Sequence, residues 1–90
     1  MGTVRRRVFV HGHVQGVFFR DTARRLALRH GVAGWIRNNV DGTVEAVLEG
    51  ESDAVERLID FCRTGPRGAA VDRVEVFDEP PEDAAGFTVR

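Results

Sequence analysis

Asp41-Gly42 divides the chain near its middle, and the turn it encodes decides how everything on either side can pair. An Asp-Gly pair between two alternating runs is a strong signal for a tight β-hairpin. Val32 to Asn39 reads as the strand before it. Thr43 to Gly50 reads as the strand after it, with Val44, Ala46 and Leu48 alternating against Thr43, Glu45, Val47 and Glu49. A helix flanks the hairpin on each side. Upstream, Phe19, Ala23, Leu26, Ala27 and His30 recur at helical spacing and Gly31 is suited to the helix end, which predicts a helix over about residues 20–30. Downstream, Val55, Leu58, Ile59 and Cys62 form an apolar stripe. There Ser52 or Asp53 is placed to cap the helix start, Glu56 stands where a capping box wants it, and Gly65-Pro66 closes the helix.

The outer segments complete the pattern. Val4 to His11 alternates Val8 and Val10 against Arg7, Phe9 and His11, as a half-buried strand does. Val71 to Phe77 is a fourth strand, stopped by Pro80-Pro81, and Phe87 to Arg90 is a short edge strand. The order is β-α-β-β-α-β. Right-handed crossovers on both sides of a central hairpin give the ferredoxin-like, split β-α-β sandwich of the α+β class. That arrangement predicts two helices on one face of an antiparallel sheet, with Arg7 and Glu49 on the open face or near its edges. Ninety residues without a linker or a repeat correspond to one domain over 1–90.

Composition narrows the partners. All thirteen basic residues are arginine, and the net charge is −1; that balance argues against a bulk polyanion such as nucleic acid. An RNA-reading sheet of this fold would carry aromatic side chains within a basic surface, and Phe9 is the one aromatic the pattern places on the open face. No apolar run is long enough to span a membrane, and Met1 to Arg7 lacks the apolar segment of a secretory signal. One cysteine, Cys62, permits no intramolecular disulfide. The expectation is a cytoplasmic monomer.

The chemistry concentrates between the first strand and the first helix, in Gly12-His13-Val14-Gln15-Gly16-Val17-Phe18-Phe19-Arg20. Glycine lets a backbone turn tightly and bring its N–H groups close to a ligand. Consecutive N–H groups aimed into one concavity bind anions, and a helix N-terminus adds unpaired donors and partial positive charge. The Arg20 guanidinium supplies a fixed fork that matches two phosphate oxygens. Spacing alone leaves open a connection that needs glycine only for its geometry. The stretch is neither a Walker A loop nor a dinucleotide fingerprint, since the Gly-Lys-Ser/Thr and the third glycine are missing.

Asn38 lies near the end of the second strand, before the Asp41-Gly42 turn. A turn residue bonding its own backbone is the plain reading, and Asn39 fits that role better. An amide offers a donor and an acceptor on one rigid group, so Asn38 is able to hold a water in a chosen orientation, although not as a strong base. His11 and His13 supply two imidazoles with no third metal ligand nearby, so neither a metal nor a cofactor is expected. Cys62 lies on an apolar stripe and reads as a core residue.

Val10 to Arg20 strongly resembles the first signature of the acylphosphatases. Gly34-Trp35-Ile36-Arg37-Asn38-Asn39-Val40-Asp41-Gly42-Thr43-Val44, with Gly50 following, resembles their second; Ile36 stands where Val or Ala is more usual. The likeness extends over nearly the whole chain, to Val71-Asp72-Arg73-Val74 and Gly86-Phe87-Thr88-Val89. It implies that Arg20 binds the substrate and that Asn38 positions the attacking water. The phosphoryl group would rest on backbone N–H groups of His13, Val14, Gln15, Gly16, Val17 and Phe18. The implied reaction is metal-free hydrolysis of the carboxyl-phosphate bond of small acyl phosphates, with inorganic phosphate as product or inhibitor. Two rivals follow from the same fold: a non-enzymatic binding module, and a domain that processes carbamoyl phosphate for transfer machinery. The absence of a zinc-finger or transfer domain up to Arg90 favours a free-standing enzyme. No residue in the sequence identifies which acyl group is carried.

Overall fold

Val8 and Val10 are both fully buried, and their alternation with Arg7, Phe9 and His11 fixes which side of the first strand faces the core. The computed structural model describes residues 2–90. In it the chain runs β1 (Thr3–His13), α1 (Phe19–His30), β2 (Ala33–Asn38), β3 (Val44–Glu51), α2 (Ser52–Thr64), β4 (Ala70–Glu79) and β5 (Phe87–Val89). The expected β-α-β-β-α-β order is therefore present, with the short final strand added.

The sheet order is β4-β1-β3-β2-β5. β1 pairs antiparallel with both β3 and β4, and β3 pairs antiparallel with β2. The edge strand β5 pairs parallel with β2, which makes the five-stranded sheet mixed rather than wholly antiparallel. The reason is topological. The chain leaves β4 at one edge and reaches the opposite edge before Phe87, so β5 runs alongside β2 in the same direction.

Register aligns Val8 with Ala46 and Ala46 with Ile36, so one row of small and branched side chains crosses the sheet. Phe19, Ala23 and Ala27 of α1 pack on this face, together with Val55, Leu58, Ile59 and Cys62 of α2 and Phe87 of β5. The apolar stripe expected of α2 is buried as a unit. Each such large side chain contributes roughly 1.5–3 kcal/mol of apolar burial. The capping box is not formed. Pairing of Glu51 with Thr3 holds β3 extended up to the first helical residue, so Glu51 occupies the cap position with no side-chain bond to the helix.

The opposite face differs from the simple polar surface that alternation suggests. Glu45 and Glu49 are buried there, beneath arginines. Arg5 Nη1 meets Glu49 at 2.9 Å and Arg5 Nε meets Glu79 at 3.0 Å. Arg7 bridges Glu45 and Glu79, and Arg37 Nη2 reaches Glu45 at 3.0 Å. Such charges remain ionised inside a protein only when each is paired and hydrogen-bonded. Phe9 is not the only aromatic on this face. It meets Phe77 edge-on at 6.0 Å, and Trp35 carries the guanidinium groups of Arg7, Arg37 and Arg90 at 5.5, 5.1 and 4.4 Å from its ring centre. The two Glu49 oxygens also accept the backbone N–H groups of Glu82 and Ala84, each at 3.1 Å. This contact straps the segment that crosses the open face between β4 and β5.

Candidate active site

The site is built where β1, α1, β2 and β5 converge. Near its end β1 shifts register between His11 and Gly12. Gly12 has φ 127° there, and a Cβ would overlap the Ala70 carbonyl of the neighbouring strand, so only glycine fits. The chain then leaves the sheet. Gly16, at φ 75°, reverses it with open space around its Cα, and Phe18 enters α1 in the left-handed region at φ 60°, ψ 25°. A non-glycine residue held in that region carries about 1–3 kcal/mol of strain. Among the described residues, the N–H groups of 15–18 donate to no backbone carbonyl. Of these residues Gly16 and Phe18, together with Phe19, Arg20 and Asp21 at the start of α1, whose first N–H groups have no intrahelical acceptor, line one pocket.

Asn38 reaches the same place from β2, on the same face of the sheet. It is two residues beyond the buried Ile36, so its side chain emerges on the helix-covered face at the end of β2. Arg20, in the first turn of α1, faces it. A pocket of about 420 Å³ is lined by Val14, Gly16, Phe18, Phe19, Arg20, Asp21, Asn38 and Val89. Two residues eighteen positions apart in sequence, expected to act together, therefore share one cavity.

The two asparagines of the hairpin have different partners. Asn39 donates its amide to the Thr43 hydroxyl at 3.0 Å and to Glu45 at 3.2 Å, and its backbone N–H donates to the Thr43 carbonyl at 2.8 Å. It is the turn residue. Asp41 closes the same turn by accepting the Thr43 N–H and hydroxyl, and those bonds hold its carboxyl below the usual carboxylate range. Asn38 Oδ1 is buried and accepts no hydrogen bond from any described residue. An unpaired buried carbonyl is destabilising by about 1–3 kcal/mol, and native proteins keep few of them.

Arg20 Nη1 donates to the Arg90 carbonyl at 3.1 Å, and Arg90 N–H donates to Ile36 O at 2.8 Å. One of the five guanidinium donors is thus engaged and the head group is held against β5. The side chains of His13, Gln15 and Val17 are not part of the pocket wall. His13 is exposed at the end of β1, and Val17 packs against the core. Gln15 turns the other way and donates Nε2 to the carbonyls of Asn39 and Thr43, at 2.8 and 3.0 Å. It ties the loop to the hairpin that presents Asn38. Neither this clamp, nor the wall contributed by Val89, nor the Arg90 carbonyl that holds Arg20 can be read from local pattern, since each depends on a contact distant in sequence. The two imidazoles do not converge: His11 Nε2 is paired with Glu75 at 2.6 Å. Cys62 is buried and its thiol is pushed up to about 12 by burial, so it stays protonated in the core.

Comparison with known proteins places the chain beside one family. The family model described as acylphosphatase matches residues 6–89. The chain is 56% identical over 89 residues to an acylphosphatase of Rubrobacter xylanophilus, covering 98% of this chain and 81% of that one. It is 55% identical over 86 residues to one from Gloeobacter violaceus, covering 96% and 92%. Its backbone is similar to the solved structure of an acylphosphatase from Coxiella burnetii, with a TM-score of 0.93 and 39% identity over 98% of this chain and 93% of that one.

Proposed function

Since the chain belongs to the acylphosphatase family and is an enzyme that hydrolyses acyl phosphates, we propose that it does so by direct, metal-independent attack of a water held by Asn38 on a phosphoryl group held by Arg20 and the 13–18 loop. The carrying observation is that the unpartnered Asn38 Oδ1 and the Arg20 guanidinium line one pocket beside free loop N–H groups.

The chemistry asks for little more. The carboxylate leaving group has a pKa near ~4, so no general acid is needed at neutral pH. A loose, metaphosphate-like transition state needs little push from the nucleophile, and an amide acceptor that orients the water suffices. Asn38 Oδ1 accepts a hydrogen bond from the water, which leaves a lone pair of the water directed at phosphorus. Arg20 and the backbone N–H groups of His13 to Phe18 balance the charge on the equatorial oxygens, the role a metal ion plays elsewhere. Holding water and phosphorus in contact makes the step nearly intramolecular. Inorganic phosphate is then product and competitive inhibitor. In this reading residues 1–90 act as one domain and the protein is a cytoplasmic monomer; with Cys62 buried, no disulfide contributes to the fold.

The test is benzoyl phosphate hydrolysis with EDTA present, run in heavy-oxygen water. The expected result is an undiminished rate, with the label in phosphate and none in benzoate. A rate lost to EDTA and restored by a divalent cation would overturn the metal-free mechanism.

A further inference from the structure

We propose that Phe18, with Val89 beside it, forms an apolar shelf for the acyl half of the substrate, selecting apolar and aromatic acyl phosphates over small ones. The inference rests on the reaction proposed above and adds the part of the substrate that sequence left unread. It follows from depth. Among the pocket walls, Val14 and Phe19 are buried, and so is Asn38 Oδ1, whereas Phe18 is 82% exposed and Val89 41%. The attacking water therefore sits deep. In phosphoryl transfer the attacking and leaving oxygens lie roughly in line through phosphorus. The leaving carboxylate must then point outward, and its acyl group emerges at the rim, where Phe18 and Val89 stand.

Phe18 is also a costly residue for its position. It begins α1 in the left-handed region without a side-chain cap, where glycine or asparagine would be relaxed, and it exposes an aromatic ring to solvent. Nothing in the packing of the core uses that ring. A ring covering it on binding accounts for both features, by removing apolar surface from water and by offset or edge-to-face contact. Asp21, also at the rim, is paired with Arg25 at 2.7 Å and so is not placed to draw in a cationic acyl group.

The experiment compares kcat/KM for benzoyl phosphate and acetyl phosphate in the unaltered enzyme and in Phe18→Asn and Phe18→Trp. Asparagine tolerates the left-handed backbone, and any loss from disturbing the loop affects both substrates and divides out of the ratio. The benzoyl-to-acetyl ratio is expected to fall about tenfold in Phe18→Asn, the scale of one aromatic contact with its buried area, and to be kept or raised in Phe18→Trp. A ratio within twofold of the unaltered enzyme in Phe18→Asn would overturn the shelf. Failure of the unaltered enzyme to hydrolyse either compound would instead overturn the reaction on which the shelf depends.

Discussion

Adjacent asparagines with identical chemistry carry opposite duties. Asn39 spends its amide on Thr43 and Glu45, while the Asn38 carbonyl oxygen is left without a protein donor. The difference is one of parity along β2: Asn38 shares the buried side with Ile36, and Asn39 lies beyond the strand in the turn. Asn38→Ala removes an acceptor that no protein hydrogen bond uses. It should lower kcat by on the order of 10²–10³, as for one preorganised polar group, with the inhibition constant of inorganic phosphate and the melting temperature retained. A collapse of phosphate affinity would make Asn38 a binding residue. Arg20→Lys should behave in the reverse manner, losing phosphate affinity along with most of the turnover of benzoyl phosphate, because an ammonium cannot grip two oxygens in a fork.

The elements carry these residues into register, and they were legible to different degrees. The strands and the α2 stripe follow from alternation and helical spacing, because Val8 and Val10, or Val55, Leu58, Ile59 and Cys62, each bury one continuous face. Arg20 and Asn38 were legible as a pair through the two family signatures. The cap of α2 was misread because local chemistry at Ser52 and Asp53 is overridden by pairing between Glu51 and Thr3. Glu45 and Glu49 look like solvent-facing positions, and only the strands on either side show that arginines cover them. The Gln15 clamp belongs to the same class of long-range information. Its two hydrogen bonds join the loop after β1 to the β2–β3 turn. Gln15→Ala should therefore lower stability by about 1–3 kcal/mol, from two lost bonds at the usual net worth. It should also cut kcat/KM for benzoyl phosphate, since the cradle and Asn38 are no longer held at fixed separation. Denaturant unfolding and steady-state kinetics measure the two effects.

Over the whole molecule the open-face ion network sets the response to acid. Hydrogen bonds from Arg7 hold the Glu79 carboxyl below its usual range, and the bond with His11 does the same for Glu75. Burial opposes the charge on Glu45 and Glu49. For Glu45 the bonds from Arg37, Asn39 and Arg7 outweigh it; for Glu49 the Glu82 N–H and Arg5 do so. All four folded-state values are lowered, so their stabilisation is fully present above the unfolded carboxylate pKa of about 4.3 and is lost as pH falls through the lower folded values. The melting temperature should be nearly level from about pH 7 to 5 and drop progressively below about pH 4, measured by circular dichroism. Glu49→Gln should flatten that acid limb while lowering the plateau, because Arg5 loses a charged partner.

The strap across the open face has a consequence for synthesis of the protein. It delivers β5 to the far edge, and with it the Val89 wall and the Arg90 carbonyl that receives Arg20. The pocket thus draws on residues from 14 to 89. A nascent chain on the ribosome can complete α1 and the β2–β3 hairpin long before Val89 and Arg90 emerge, yet it holds an active site open along one side. Turnover should therefore begin only once Val89 and Arg90 have left the ribosome and joined the fold, however early α1 and the hairpin form.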